Sequence, residues 1–288
     1  MNEQSSMIRI DGDIVVSVPE AFAEAVEIVR REGLRGLTIR EDWQDSQPGA
    51  PICDLSLLGK RVPGLECLGF APGIKVGRLA NFESLQTLEN LQELSVHEYP
   101  TLDLERFPNI RTLFVRDSSK LRGILSLSRL RKLHVWGIRS VDLSQYAHMN
   151  ELESVVLVKA ASKEREIAGL DRLLALRNFE IHHSRTIASV KRPPVGVQVL
   201  KVHSCSKFVD FSFLSGNTSI DFLFSTVFDS ISFLPSMSAI TRLGFDSVTD
   251  GDLSPVLRTP TLRGVFCANK KHHTHTREAL QAVLDGSR

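Results

Sequence analysis

The chain has 288 residues, 42% of them apolar and 24% charged, with a formal net charge of +1. That balance excludes the basic excess usual in proteins that bind nucleic acid or anionic membranes, and it is ordinary for a water-soluble protein. No apolar run approaches the ~18 residues of a membrane helix. Met1-Asn-Glu-Gln-Ser-Ser6 lacks the charged and apolar regions of a secretion signal, so a cytoplasmic location is expected.

Residues 1–33 read as a cap. Met7-Ile-Arg-Ile10 and Ile14-Val-Val-Ser-Val18 flank Asp11-Gly-Asp13, a turn signal between apolar stretches that predicts a β-hairpin. Pro19 suits a first helical turn, because it has no N–H to lose there. Ala21, Phe22, Ala25, Val26 and Val29 follow at helical spacing, and Gly33 suits the stop.

Leu34-Arg-Gly-Leu37-Thr-Ile39 then introduces a phrase: apolar, two variable residues, apolar, one variable, apolar. Ile52-Cys-Asp-Leu55-Ser-Leu57 and Leu65-Glu-Cys-Leu68-Gly-Phe70 match it at irregular spacing, with a polar loop over 41–50. At least two strands are expected between 34 and 75, without a fixed register.

From Leu91 the phrase becomes regular. It starts at Leu91, Ile110, Leu130, Leu152, Leu176, Val197, Ile220, Ile240 and Leu262. Successive starts thus keep a narrow period of about 20 residues. Alternation across the last three residues of the phrase predicts a strand with one buried face. A second apolar group follows each strand, as in Leu102-Asp-Leu104, Val141-Asp-Leu143, Val209-Asp-Phe211, Ile231-Ser-Phe233 and Leu253-Ser-Pro-Val256. These turn the chain back and supply the other wall of the core. Most are too short for a helix, but helical spacing over Lys163–Leu174 predicts one there. Beyond Cys267, residues 269–288 form a polar segment and a short amphipathic helix from Thr276, stopped by Gly286 and expected to cover the last coil.

A self-similar period of this length marks a solenoid. The phrase resembles the leucine-rich repeat family, as an irregular, bacterial-type member, over about residues 34–268. The resemblance implies an α/β repeat solenoid: a curved parallel sheet, a mostly non-helical convex side, an N-terminal hairpin-helix cap and a C-terminal helix cap. It departs from the family at the Asn/Cys position, eight residues after the first Leu. That position holds Tyr99, Ser118, Ile138, Ser184, Phe228 and Val248, and only Cys205 fits. Less regular turns are therefore expected.

Strand alternation lists what the sheet displays. His97, Phe114, Arg116, His134 and Trp136 form one aromatic and cationic set; Glu180, His182, Lys201 and His203 form a second; Phe222, Phe224 and Phe266 form a third. Trp and Arg are enriched in interface hot spots, and histidines make affinity pH-dependent between about 5 and 8. Each set also has a plainer reading: Trp136 packing over the sheet edge beside Gly137, the phenylalanines beneath a loop or a self-association surface, and the histidines as solvated polar residues.

Signals of chemistry are weak. His272, His273 and His275 lie in what reads as a solvated linker. Neighbouring histidines on a strand-like loop point opposite ways, so only His273 and His275 would share an ion, and metal or cofactor binding is not expected. Cys205 sits in the family's structural slot, and scattered Cys53, Cys67, Cys205 and Cys267 read as reduced thiols. Asp250 and Asp252 fall in a turn, where Asp and Gly serve the backbone. No nucleophile elbow or phosphate loop occurs. The expected function is non-catalytic binding of a protein partner on the sheet, including an immunity or antitoxin-type role. The alternatives are a metal-dependent hydrolase centred on the His-rich tail or the 180–203 cluster, and a self-assembling structural protein.

Overall fold

The computed structural model describes residues 8–40, 53–192 and 194–286. The chain folds as two compact units, Met1–Leu133 and His134–Arg288.

The first unit opens with β1 (Ile8–Asp11) and β2 (Ile14–Ser17), an antiparallel pair with Asp11 opposite Ile14. Gly12 turns the chain at φ 61°, a left-handed conformation that two-residue hairpin loops require. A 3-10 turn over Pro19–Ala21 leads into α1 (Phe22–Glu32). The helix stops at Gly33, φ 64°, whose N–H bonds the Val29 carbonyl. Phe22, Ala25, Val26 and Val29 are buried on the face that packs against β2 and β3 (Gly36–Ile39). The sheet continues in parallel through β4 (Cys67–Phe70), β5 (Glu93–Val96) and β6 (Thr112–Arg116).

One expected copy of the phrase is not a sheet strand. Ile52 and the 41–50 loop lie outside the described residues. Cys53–Asp54 pairs with Leu79–Ala80 in a separate two-stranded ladder, and α2 (Ser56–Arg61) follows. Leu55 and Leu58, both fully buried, set a helical spacing that overrides the strand phrase. The early repeats are accordingly long: with the copy at Ile52 removed, the sheet strands follow starts at Leu34, Leu65 and Leu91, wider apart than any two starts beyond.

The division between the units falls inside β7 (Lys132–Trp136). In the second unit β8 (Ser154–Val158), β9 (Asn178–His182), β10 (Val199–His203), β11 (Phe222–Phe228), β12 (Arg242–Val248) and β13 (Gly264–Cys267) lie side by side in chain order, all parallel. The chain returns through 3-10 turns at Leu143–Tyr146, Leu170–Arg172, Ser212–Leu214 and Leu234–Ser236, and through α3 (Ser254–Leu257). The helix expected over 163–174 does not form. Glu166–Ile167 pairs with Ser189–Val190, Gly169 takes φ 81°, and Leu174 is 73% exposed. A Cβ at Gly169 would lie 2.1 Å from the Ser144 nitrogen, so close coil packing selects glycine there and breaks the helical run.

An aspartate starts many of the returns. Asp103, Asp142, Asp210 and Asp252 accept the N–H two residues on, from Glu105, Ser144, Ser212 and Ser254, at 3.2, 3.0, 2.8 and 2.9 Å. Such Asx turns satisfy backbone that has no ladder partner. Inside the second unit, Phe208, Phe211, Phe228 and Phe245 are buried with successive ring centroids 5.0, 4.6 and 6.2 Å apart. Apolar stacking thus fills a turn position where the family places a polar residue. α4 (Arg277–Gly286) buries Leu280 and Leu284 and packs on α3 and β13.

Candidate functional site on the sheet face

In β9 and β10 the buried residues are Phe179, Ile181, Leu200 and Val202. Alternation turns Glu180, His182, Lys201 and His203 onto the opposite face. The register sets Glu180 opposite Lys201 and His182 opposite His203, then Lys201 opposite Phe224, and Phe222 opposite Arg242. The second and third sets expected from the sequence are therefore contiguous through β11.

Glu180 is the hub. Its carboxylate meets His182 Nε2 at 2.9 Å and accepts from Lys201 Nζ at 3.0 Å. The His182 hydrogen bond, working against burial and aided by Lys201, pulls its pKa from 4.5 to about 2. His182 and His203 rings lie 5.8 Å apart, and His203 stacks on Phe224 at 5.9 Å. Phe222 sits beneath two cations, with Lys201 Nζ 5.9 Å and the Arg242 guanidinium 5.1 Å from its ring centroid. Arg242 is also paired to Asp221 at 2.9 Å. Lys201 and Arg242 lie over Phe222 while paired to Glu180 and Asp221, so the centre of this face is aromatic with its charges balanced in pairs.

Sequence reasoning missed His183. Its ring stands edge-on to His203 at 5.3 Å and 6.4 Å from His182. Burial, then the His203 and His182 charges, hold its pKa below the usual histidine value. The cause of its placement is a backbone ladder. Gly137, Lys159, His183 and Ser204, at the same position of four consecutive copies, have φ 73°, 48°, 55° and 54°. The first three donate N–H to the carbonyls of Val158, His182 and His203, each at 2.8 Å, and Ser204 donates to Thr226 Oγ1 at 2.7 Å. Only Gly137 advertises this left-handed position in the sequence.

The remaining expected residues are placed unit by unit. In the first unit Phe114 follows Ser95 in the central column and is 38% exposed. Burial, and then Arg116, keep the His97 pKa below its ordinary value. The Arg116 carbonyl accepts the Tyr99 hydroxyl, to which Ser118 Oγ donates at 3.2 Å. Buried Tyr99, at the family's Asn/Cys position, thus satisfies turn backbone with its hydroxyl. In the second unit His134 and Trp136 lie on β7, with Lys159 Nζ 5.0 Å over the Trp136 ring.

The His-rich tail is largely exposed, as expected of a solvated linker, but two of its side chains tie it to β12. His272 Nε2 donates to the Val248 carbonyl at 3.0 Å, and the Val248 N–H donates to His273 Nε2 at 3.3 Å. The two rings lie 4.6 Å apart, because a turn closed by His273 N–H on the Lys270 carbonyl replaces the strand-like geometry that would have opposed them. Among the described residues no group of three or more His, Cys, Asp or Glu is placed to hold a metal ion. Cys205 accepts the Ser184 N–H at 3.4 Å inside its turn, and burial pushes the Cys53 and Cys67 thiols up to about 11 and about 12. Such thiols are poor nucleophiles at neutral pH. No helix among the described residues is long and apolar enough to cross a membrane.

No family model matches the chain, and no curated protein matches it. Among solved structures it is similar to an internalin (InlF) from Listeria monocytogenes at 16% identity and a TM-score of 0.48, covering 89% of this chain and 74% of that one. It is also similar to the functional domain of InlJ from Listeria monocytogenes at 12% identity and a TM-score of 0.43, covering 85% of this chain and 50% of that one. The architecture of this chain is of leucine-rich-repeat type: one parallel strand per repeat, a short return, and a core closed between them.

Proposed function

We propose that the sheet face of the second unit binds a protein partner that presents carboxylates beside apolar groups. The observation that carries this is Phe222 with Lys201 and Arg242 over its ring, at 5.9 and 5.1 Å, on a face that also holds half-buried Phe224 and exposed Phe266. Aromatic residues and Arg are enriched in protein interfaces, and a sheet of paired strands orders them before binding. Glu180, His182, Lys201 and His203 set orientation and charge. His134 and Trp136 in this unit, and His97, Phe114 and Arg116 in the first, belong to the same reading as further displayed residues.

The reading extends to a non-catalytic protein of immunity or antitoxin type acting in the cytoplasm, with residues 1–33 and 269–288 covering the ends of the 34–268 array.

The test uses wild-type protein and a Lys201→Glu, Arg242→Glu double variant as baits, with Arg122→Glu as a control far along the chain. A partner captured by wild type and control should bind the double variant at least about tenfold more weakly, roughly 1.4 kcal/mol. A partner held equally by all three baits overturns the proposal.

A further inference from the structure

The two terminal strands of this protein treat their open edges differently. At β13 the α4 side chain Gln281 closes the edge: its Oε1 accepts the Val265 N–H at 3.4 Å, and its Nε2 donates to the Arg263 carbonyl at 3.5 Å. At β1 no described side chain does this for Ile8 or Ile10. Because Asp11 and Ile14 flank a two-residue turn, Asp11 and Arg9 direct their main-chain groups to β2. Ile8 and Ile10 therefore aim N–H and C=O outward. Ile10 shares the core side with its partner Val15, which is fully buried, yet Ile10 is 54% exposed. An open edge with an uncovered apolar residue is a template for another strand.

We propose that β1 pairs with β1 of a second copy, antiparallel and about a two-fold axis through Ile10. The strand is self-complementary in that register alone. Ile10 lies opposite Ile10 of the second copy, exchanging both main-chain hydrogen bonds and joining the exposed side chains on the core side. Arg9 lies opposite Asp11 of the second copy, and Asp11 opposite its Arg9, so two ion pairs form on the other face. Opposite charges directly across a strand pair stabilise it, and like charges destabilise it. A two-fold contact uses the same patch on both copies and closes at two, so it builds no fibre. Four residues make a small interface, which places dissociation between about 1 μM and about 1 mM.

Sedimentation of the full chain across that concentration range tests this. The wild-type mass should rise to that of a dimer and no further. Arg9→Asp should weaken association at least about tenfold, and the exchanged pair Arg9→Asp with Asp11→Arg should restore it. A wild type that stays monomeric, a mass that climbs beyond a dimer, a dimer indifferent to Arg9→Asp, or an exchange that fails to rescue each overturns the proposal. None of these variants touches Lys201 or Arg242, so its failure is separable from failure of the partner-binding face.

Discussion

In the first unit the central outward column of the sheet reads Val16, Thr38, Gly69, Ser95, Phe114; in the second it reads Val156, Glu180, Lys201, Phe224, Gly244, Phe266. The first column is small until its last member, and a Cβ at Gly69 would press within 3.0 Å of the Thr38 hydroxyl. The second carries charge and aromatic rings in register. The two units also differ behind the sheet. The long repeats that open at Leu34 and Leu65 have room for α2 and for a six-residue 3-10 stretch at Phe82–Thr87, whereas the shorter ones of the second unit close with three- or four-residue 3-10 turns or with the single turn of α3. The variable positions set the face, so one phrase yields a central column of mostly small residues in one unit and one of charged and aromatic residues in the other.

The largest expected effect separates core from face within the second unit. Phe228→Ala empties a fully buried ring site in the phenylalanine stack and should cost about 3–5 kcal/mol in denaturant unfolding. Phe224→Ala, on the half-exposed face, should cost about 1 kcal/mol or less while weakening partner binding. Equal losses of stability from the two would break the division between them.

Glu180 gives the next effect, with no counterpart in the first unit's column. Its folded pKa of about 2 lies below the ordinary 4.5. The depressed value means that its stabilisation is present above about 4.5 and is lost as pH falls toward 2. The whole shift corresponds to at most about 3 kcal/mol, and the carboxylate's residual exposure reduces that. Glu180→Gln should flatten the stability curve between about pH 5 and pH 2. An acid limb unchanged by that substitution would show that the hub with His182 and Lys201 does not form in solution.

How far the sequence reveals these features follows from the periods involved. From Leu91 onward the phrase and its spacing are unambiguous, and strand alternation alone puts Glu180, His182, Lys201 and His203 on one face. Around Leu55 and Leu58 it fails, because an apolar pair three apart fits both the opening of the strand phrase and a helix. His183 is invisible for another reason: a left-handed histidine carries no sequence mark unless a glycine shares its place. The tail escapes a local reading because the bonds from His272 and His273 to Val248 join positions 24 and 25 residues apart, which no local pattern encodes.

That tail predicts a second, milder acid effect. His273 accepts the Val248 N–H, so its ring must stay neutral at Nε2. Burial, then His272 and Lys270, lower its pKa. A histidine held neutral contributes stability that is present above about 6.5 and is lost as pH falls through the lower folded value. The protection factor of the Val248 amide, the exchange rate of the unfolded amide divided by its own at the same pH, should therefore fall on acidification below about 6.5. His273→Phe should abolish that pH dependence, and a variant that keeps the wild-type dependence would refute the strap.

The smallest effect tests the left-handed ladder by opposite signs. Gly137 and Ser204 occupy the same repeat position at φ 73° and 54°, and both donate N–H across the turn. For a residue with a Cβ this conformation costs about 1–2 kcal/mol. Nothing lies within 4 Å of a Cβ built on Gly137, so Gly137→Ala should destabilise by about 1 kcal/mol from backbone strain alone. Ser204→Gly relieves that strain but frees the unfolded chain and loses the hydroxyl contact to His203 Nδ1 at 3.2 Å. Its net gain should be about 0.5 kcal/mol. Thermal unfolding of both variants reads the pair. Matching signs would show that the four positions are not equivalent, and that His183 owes its place on the face to side-chain packing and not to the backbone ladder.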